Sequence, residues 1–387
     1  MGGEYGGYPR FSAGEMARRW RAVAAEAERE RVDVLLVYGS ERNGSAVQWL
    51  SQWPVTREAA LCWSPGDAVP VLFVQFANHL DTARRIALDC DVRWGGDSTL
   101  ASVVDALGLV RRRATRVGIL GPLGASAATI LRDAGAELVF MDRAYLQLRL
   151  VKSPEEIDWI RRGAGLTDAA VRAVAEGAGV GTSETELVAL AEGAYLPSGG
   201  TTHIHYFCST PMRSPAVRVP AQWPTDRRLR AGDVVACEVS AAWWGYPGQL
   251  LRTFTVEEPP TALYAELHAV AMATFDALAA IVAPGVTGAD LAEAARLVEQ
   301  SGFSTCDDLV HGFVGGYHAP VVPGGGRTPQ HGSFVLEEGM TVVVQPNVVT
   351  PEGTAGVQTG ELLLVTATGC ARVHTFARGL GALAGPS

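Results

Sequence analysis

The chain has 387 residues, is 48% hydrophobic, carries 44 glycines and has a formal net charge of −9. That length and apolar content suit a soluble globular protein with two sizeable cores and exclude a largely disordered chain. The acidic balance, without a long run of one sign, argues against nucleic acid and anionic membrane surfaces as partners and favours a small-molecule substrate.

The opening stretch MGGEYGGYPRF lacks a basic-then-apolar leader pattern. No window reaches the roughly 18 uninterrupted apolar residues of a membrane span, so the cytoplasm is the expected location. Residues 14 to 32, GEMARRWRAVAAEAERERV, have apolar positions at helical spacing, and DVLLVYGS at 33 to 40 reads as a buried strand. VPVLFVQF, ATRVGILG and AELVFMD are further short apolar runs between helical stretches. Residues 1–150 are therefore expected to form an α/β domain. GILGPLGAS lacks GxGxxG spacing and a downstream acidic partner, so it reads as a plain strand-to-helix turn.

Ser153 can cap a helix, Pro154 suits its first turn and Glu156 completes a capping box. A second domain is expected over residues 151–387. Helices at roughly 154–178 and 182–195 precede a strand-rich region there. GDVVACEVSAAWWGYPGQLLRTFTV reads as a hairpin turning around WGYPG, and TALYAELHAVAMATFDALAAIV and GVTGADLAEAARLVEQSG as helices. Strands follow in FVGGYHAPVV, MTVVVQPNVV and GELLLVT. The six cysteines, Cys62, Cys90, Cys208, Cys237, Cys306 and Cys370, include no CxxC pair, which argues for reduced, mostly buried thiols.

The order of these patterns resembles the creatinase, aminopeptidase P and prolidase family, the M24 pita-bread enzymes. The matches run from LVKSPEEIDWIR through GDVV, GYPGQLLRTFTV, HGFVGGYH and EEGMTVVVQPNV to GVQTGELLLVT, in one order over residues 151 to 378. The resemblance implies an α+β protein, with an N-terminal creatinase-like α/β domain followed by a C-terminal pita-bread domain. The family's peptidases hold two divalent metals with two Asp, one His and two Glu. Carried over, those positions are Glu238, Gln249, His311, Gln345 and Gly360. Two metals need bridging carboxylates to offset their repulsion, whereas an amide supplies one weak oxygen and glycine none. A divergent member without a dinuclear metal site and without a cofactor is expected, with a single weak ion on Glu238, His311 and Glu361 left open.

Creatinase, in the same family, works without metal on a guanidino compound through a histidine base and glutamates. The corresponding positions here are Ala221, Leu251 and Gln345, so a neutral or anionic ligand is expected rather than a cation.

His311 and His318 match the spacing of the family's metal histidine and substrate-touching histidine, and either imidazole can act as acid or base near neutral pH. Glu238 lies in the apolar strand DVVACEVSA, where burial raises a carboxyl pKa. These three are the expected catalytic residues, with a structural ion pair to Arg252 as the alternative for Glu238. In THIHYFCST, alternation sets His203 and His205 on one face without Cys208; the resemblance, in which this region skirts the site, implies that they bind substrate or replace the lost base, a half-exposed strand is the alternative, and Cys208 stays open as a nucleophile. Trp243 and Tyr246 crowd the hairpin turn, either as a stacking wall or packed beneath the loop. Gln249, Gln345 and Glu361 complete the expected substrate-binding set. Arg57 matches an arginine that creatinase-like dimers lend to the neighbouring site, where it would give a carboxylate a fork. The resemblance thus implies a homodimer whose N-terminal domains complete the partner's site.

The expected function is that of a metal-independent creatinase-like enzyme hydrolysing a C–N bond of a small organic substrate by histidine and glutamate acid-base catalysis. Three alternatives stand beside it. They are a lyase, isomerase or cyclase of specialised biosynthesis, a metal-dependent Xaa-Pro peptidase, and a non-catalytic pita-bread binding protein.

Overall fold

The computed structural model describes residues 7–40, 45–108, 115–313, 317–325 and 334–385. The chain divides into two compact units, Met1–Arg149 and Leu150–Ser387.

In the first unit, helix α1 (Ala13–Arg29) starts where the Ser12 hydroxyl accepts the Glu15 N–H, and it buries Met16, Val23 and Ala27 along one face. Strands β1 (Val34–Ser40), β2 (Glu58–Trp63), β3 (Val71–Val74), β4 (Asp91–Trp94), β5 (Thr115–Leu120) and β6 (Ala136–Phe140) form one sheet in the order β4-β3-β2-β1-β5-β6. Helices α2 (Ser45–Ser51), α3 (Leu80–Ile86), α4 (Thr99–Ala106), α5 (Ala125–Asp133) and α6 (Asp142–Leu150) connect them. The sheet core joins Val34, Leu36, Val117, Ile119 and Leu131. The GILGPLG segment is a strand-to-helix turn. Gly121 has φ +97° and a Cβ there would lie 2.0 Å from the Tyr38 carbonyl oxygen, so only glycine fits.

The second unit opens on α7 (Pro154–Gly177). Its capping box is complete: Ser153 accepts the Glu156 N–H at 3.2 Å and Glu156 accepts the Ser153 N–H at 3.1 Å. Ser183 and Glu186 repeat the device at the start of α8 (Glu184–Tyr195). Strands β7 (Thr201–Pro211), β8 (Asp233–Trp243), β9 (Tyr246–Pro247) and β10 (Leu250–Val256) lead to α9 (Ala262–Ile281). The expected helix after it is split into α10 (Gly288–Ala294) and α11 (Leu297–Gln300), because Arg296 and Val298 turn back to carbonyls three residues earlier. Then come β11 (Ser304–Thr305), β12 (Val310–Phe313), β13 (Tyr317–Val322), β14 (Thr341–Val344), β15 (Val348–Val349), β16 (Gly360–Thr366), β17 (Gly369–Arg372) and β18 (Gly381–Leu383). The run MTVVVQPNVV is two strands rather than one, since Pro346 has no N–H to continue the ladder.

The main sheet has the path β13-β12-β14-β16-β10-β8-β7, with β17, β18 and β9 attached at its flanks. Helices α7 and α8 bury Val171, Leu187 and Tyr195 against Phe207, Cys237, Val239 and Leu250. Helix α9 buries Phe275 and Leu278 against Val310, Val342, Val344 and Leu363. One face of the curved sheet is thereby committed to helices, and side chains of opposite parity point away from them. Among the described residues, no helix is long and apolar enough to cross a membrane.

Candidate active site

Residues Val235, Cys237, Val239 and Ala241 of β8 enter the core with the helices, so Glu238 turns to the other face. Register then carries one row across the sheet. Tyr206 pairs Glu238, Glu238 pairs Leu251, and Leu251 pairs Gly360. On β12, His311 lies opposite Val343, two residues before Gln345, whose N–H bonds the Leu309 carbonyl. Parity alone therefore brings Glu238, Gln249, Gln345 and His311 to one surface.

Their contacts confirm a polar cluster. Gln249 Nε2 donates to Glu238 Oε1 at 2.6 Å, and Gln358 also hydrogen-bonds Glu238. Gln345 Nε2 donates to the Asp308 carbonyl at 3.2 Å and lies 3.5 Å from Asp307 Oδ2. His311 Nδ1 is 3.0 Å from the Gly312 carbonyl oxygen, which can only accept, so Nδ1 carries the proton and Nε2 has the lone pair. Burial, opposed by that carbonyl and by the Asp307 charge, holds the His311 pKa below its ordinary value. Burial, and then the charge of Asp307, raises Glu238 from 4.5 to about 8 against the opposing bond from Gln358. Glu238 thus carries a proton at neutral pH although part of its surface is accessible.

Asp307 and Tyr206 were not expected from the sequence. Tyr206 sits opposite Glu238, and burial followed by the Glu238 charge raises its hydroxyl pKa. For Asp307 the available signal is the pair of aspartates in STCDDLVHG, just ahead of an apolar strand.

The model of the metallopeptidase family M24 matches residues 158–367, more than half of the chain. The chain belongs to this family. A Xaa-Pro dipeptidase of Pyrococcus furiosus is 25% identical over 267 residues, which cover 68% of this chain and 75% of the relative. An uncharacterized hydrolase/peptidase of Sinorhizobium fredii is 28% identical over 313 residues, covering 76% of this chain and 78% of the relative. Among solved structures, the prolidase from Pyrococcus furiosus superposes with a TM-score of 0.78 at 22% identity, covering 92% of this chain and 99% of the prolidase. Dipeptidase PepE from Mycobacterium ulcerans superposes with a TM-score of 0.76 at 24% identity, covering 97% of this chain and all of PepE. The fold is the α+β pita-bread architecture of M24 proteins.

These relatives overturn one expectation. A metal-independent creatinase-like enzyme was expected, whereas the named relatives are Xaa-Pro dipeptidases and other peptidases. The peptidase alternative is the better supported.

The residues present do not fit the two-metal seat that the M24 resemblance implies. Amides stand at Gln249 and Gln345. A Cβ at Gly360 would lie 2.5 Å from the Val344 carbonyl oxygen and 2.9 Å from the Gln345 Cα, so β14 fills the space a longer side chain needs. Among the described residues, no group of three or more His, Cys, Asp or Glu side chains is arranged to hold a metal ion.

Several residues expected to touch substrate belong elsewhere in the M24 fold. Tyr246 donates from its hydroxyl to Glu156 Oε1 at 2.9 Å and meets Trp159 edge-on at 5.6 Å, so it fastens the hairpin to α7. Trp243 has the parity of the core face and lies under the Arg162 guanidinium at 5.7 Å. His205 is buried with Nε2 2.8 Å from the Tyr195 hydroxyl. A register shift between Thr202 and Ile204 breaks the alternation that would have put His203 beside it. His203 instead meets Phe313 edge-on at 5.8 Å, on the ring that His311 also meets at 5.8 Å. Glu361 pairs Val344 and Leu250, opposite in parity to Gly360, and is consumed by Arg252 and Arg372. This also removes the Arg252–Glu238 pair weighed above. Burial pushes the Cys208 thiol up to about 12, which removes it as a nucleophile. His318 is half-buried on β13, opposite Gly312. Arg57 is exposed in the first unit, just before β2.

Replacing Tyr246 by Phe is expected to cost about 1 kcal/mol of stability for one buried hydrogen bond and to leave KM for substrate unchanged. A KM rise with unaltered melting would return Tyr246 to the site.

Proposed function

We propose that the protein is a peptidase that hydrolyses short peptides, of the Xaa-Pro dipeptidase kind, on the sheet face around Glu238, Asp307, His311 and Gln345. The observation that carries this reading is the family membership together with the acid-base cluster of Glu238, Asp307 and His311 on one sheet face. In this reading the carboxylate of Asp307 takes a proton from water as the water oxygen attacks the peptide carbonyl. Glu238 gives its proton to the leaving nitrogen as the C–N bond breaks. The Gln249 and Gln345 amides orient the peptide, and His311 and His318 flank it.

The reading includes a homodimer in which Arg57 reaches the neighbouring site and forks a substrate carboxylate, supported by the exposure of Arg57. A cytoplasmic setting suits six free cysteines. Light scattering is expected to give the mass of two chains, and the mass of one chain would remove Arg57 from the site. Incubation with Ala-Pro, Gly-Pro and Ala-Ala is expected to release free amino acids, read by mass spectrometry. Failure to cleave any of the three, as purified or with added manganese or cobalt, would contradict the proposal.

A further inference from the structure

The register shift in β7 turns two polar side chains toward α8. Thr202 pairs Ala241 and His205 pairs Val239, so the extra residue between them leaves both on the face that packs against helices. Four side chains form an unbranched line there. His205 Nε2 lies 2.8 Å from Tyr195 Oη, Tyr195 Oη lies 2.6 Å from Thr202 Oγ1, and Thr202 Oγ1 lies 2.8 Å from Glu192 Oε1. The line runs from a buried imidazole to an exposed threonine and a half-buried carboxyl group. Three contacts of hydrogen-bond length need three protons. His205 Nδ1 meets the Ile204 carbonyl oxygen, which only accepts, so the proton on that nitrogen stays outside the line. The Tyr195 and Thr202 hydroxyls supply one proton each. A neutral imidazole facing an ionised carboxylate would leave one contact with lone pairs pressed together, so the third proton sits on His205 Nε2 or on Glu192. The charged groups that bear on His205 are Glu192 from α8 and His203 from its own strand, while β8 presents Val239 and α7 presents Leu166 beside Tyr195. Burial, opposed by the Ile204 carbonyl and the Glu192 charge, holds the His205 pKa below its ordinary value, so the third proton arrives on acidification.

We infer that His205, Tyr195, Thr202 and Glu192 form a proton-uptake relay between α8 and β7, which is open at one contact with two protons and closed at all three contacts with three. Glu192 takes the incoming proton from solvent hydronium, which becomes water. A proton then passes from Glu192 to Thr202 Oγ1, the one already on Thr202 passes to Tyr195 Oη, and the one on Tyr195 passes to His205 Nε2. Each hydroxyl gains one proton and loses one, Glu192 returns to the carboxylate, and the imidazole becomes an imidazolium. The closed line is continuous, since every group in it donates to the next and the carboxylate accepts at its end. It pins β7 beside Tyr206, the residue opposite Glu238, and thereby couples pH to the strand that borders the candidate active site. The relay does not depend on the peptidase reading, because it lies on the other face of the sheet and uses none of the residues assigned to cleavage.

Nitrogen-15 NMR of the full chain, labelled at its eight histidines, tests the relay, with His205→Gln identifying the signal. Above neutral pH the His205 ring is expected as the Nδ1–H tautomer. On acidification it is expected to gain an Nε2–H while the protein stays folded. Glu192→Gln removes the charge at the end of the line. Thr202→Val cuts the line at an exposed position and leaves that charge in place. Both substitutions are expected to lower the titration midpoint of His205, with circular dichroism melting verifying that each variant is folded. An Nε2–H tautomer in the neutral ring, a midpoint that Thr202→Val leaves unchanged, or unfolding before His205 takes up a proton would each overturn the inference. Dipeptide cleavage enters none of these readouts, so the peptidase proposal fails or survives separately.

Discussion

Replacing Glu361 by Gln is expected to destabilise the second unit by about 3–5 kcal/mol at neutral pH, the cost of leaving a buried charge without its partner. Glu361 is 0% and Arg252 2% exposed by side chain, joined at 2.8 Å. Arg372 adds a second bond to Glu361 at 3.0 Å, and Arg252 spends its other donors on the Leu251, Gly360 and Ala377 carbonyls. The triad ties β10, β16 and β17 together on the side away from the site. Burial raises the Glu361 pKa, but the bonds and charges of Arg372 and Arg252 outweigh it and hold the carboxyl below its ordinary value. A depressed carboxyl contributes stability that is present above the unfolded pKa and fades as pH falls through the folded one. The deficit of Glu361→Gln should therefore shrink on acidification below about pH 4. Urea melts across pH measure it, and a pH-independent difference would contradict the ion-pair account.

Replacing Glu238 by Gln is expected to have the opposite sign. The folded pKa is raised from 4.5 to about 8, so between those values the folded chain holds a proton that the unfolded chain releases. Stability of the wild type then falls as pH rises through that window and levels off above it. The substituted amide cannot titrate, and it keeps nearly the same volume as the carboxyl it replaces. Glu238→Gln should match the wild type near pH 4.5 and exceed it by about 1–3 kcal/mol at pH 8, a rise of a few degrees in Tm. Such a gain, coupled to lost turnover, is the trade-off expected where a strained group works. Parallel stability curves for the two proteins would mean that Glu238 titrates as it does in water.

Local chemistry made much of the fold legible. Ser153 and Glu156 announced α7, apolar runs announced β1, β8 and β16, and the ordered motifs of the second unit carried the family. Parity decided what motif matching left undetermined. Glu361 is adjacent to Gly360 in sequence, yet one residue of offset turns it to the helix side. The bulge near His203 has no signature in an alternating run, and so His205 was read onto the wrong face. The sequence leaves Tyr246 open between a ligand wall and packing beneath the loop, because the approach of Glu156, 90 residues earlier in the chain, is a tertiary event. Asp307 escaped notice for the same reason. It lies ahead of β12 and meets Gln345 and Glu238 only after β12 pairs with β14.

The most direct test of the account is kcat/KM for proline release from Ala-Pro by the wild type, Glu238→Gln, Asp307→Asn and Tyr246→Phe. Loss of either carboxyl is expected to lower it by about 100-fold or more, with Tyr246→Phe close to the wild type. Full activity in Glu238→Gln and Asp307→Asn would contradict the claim that this acidic pair performs the chemistry.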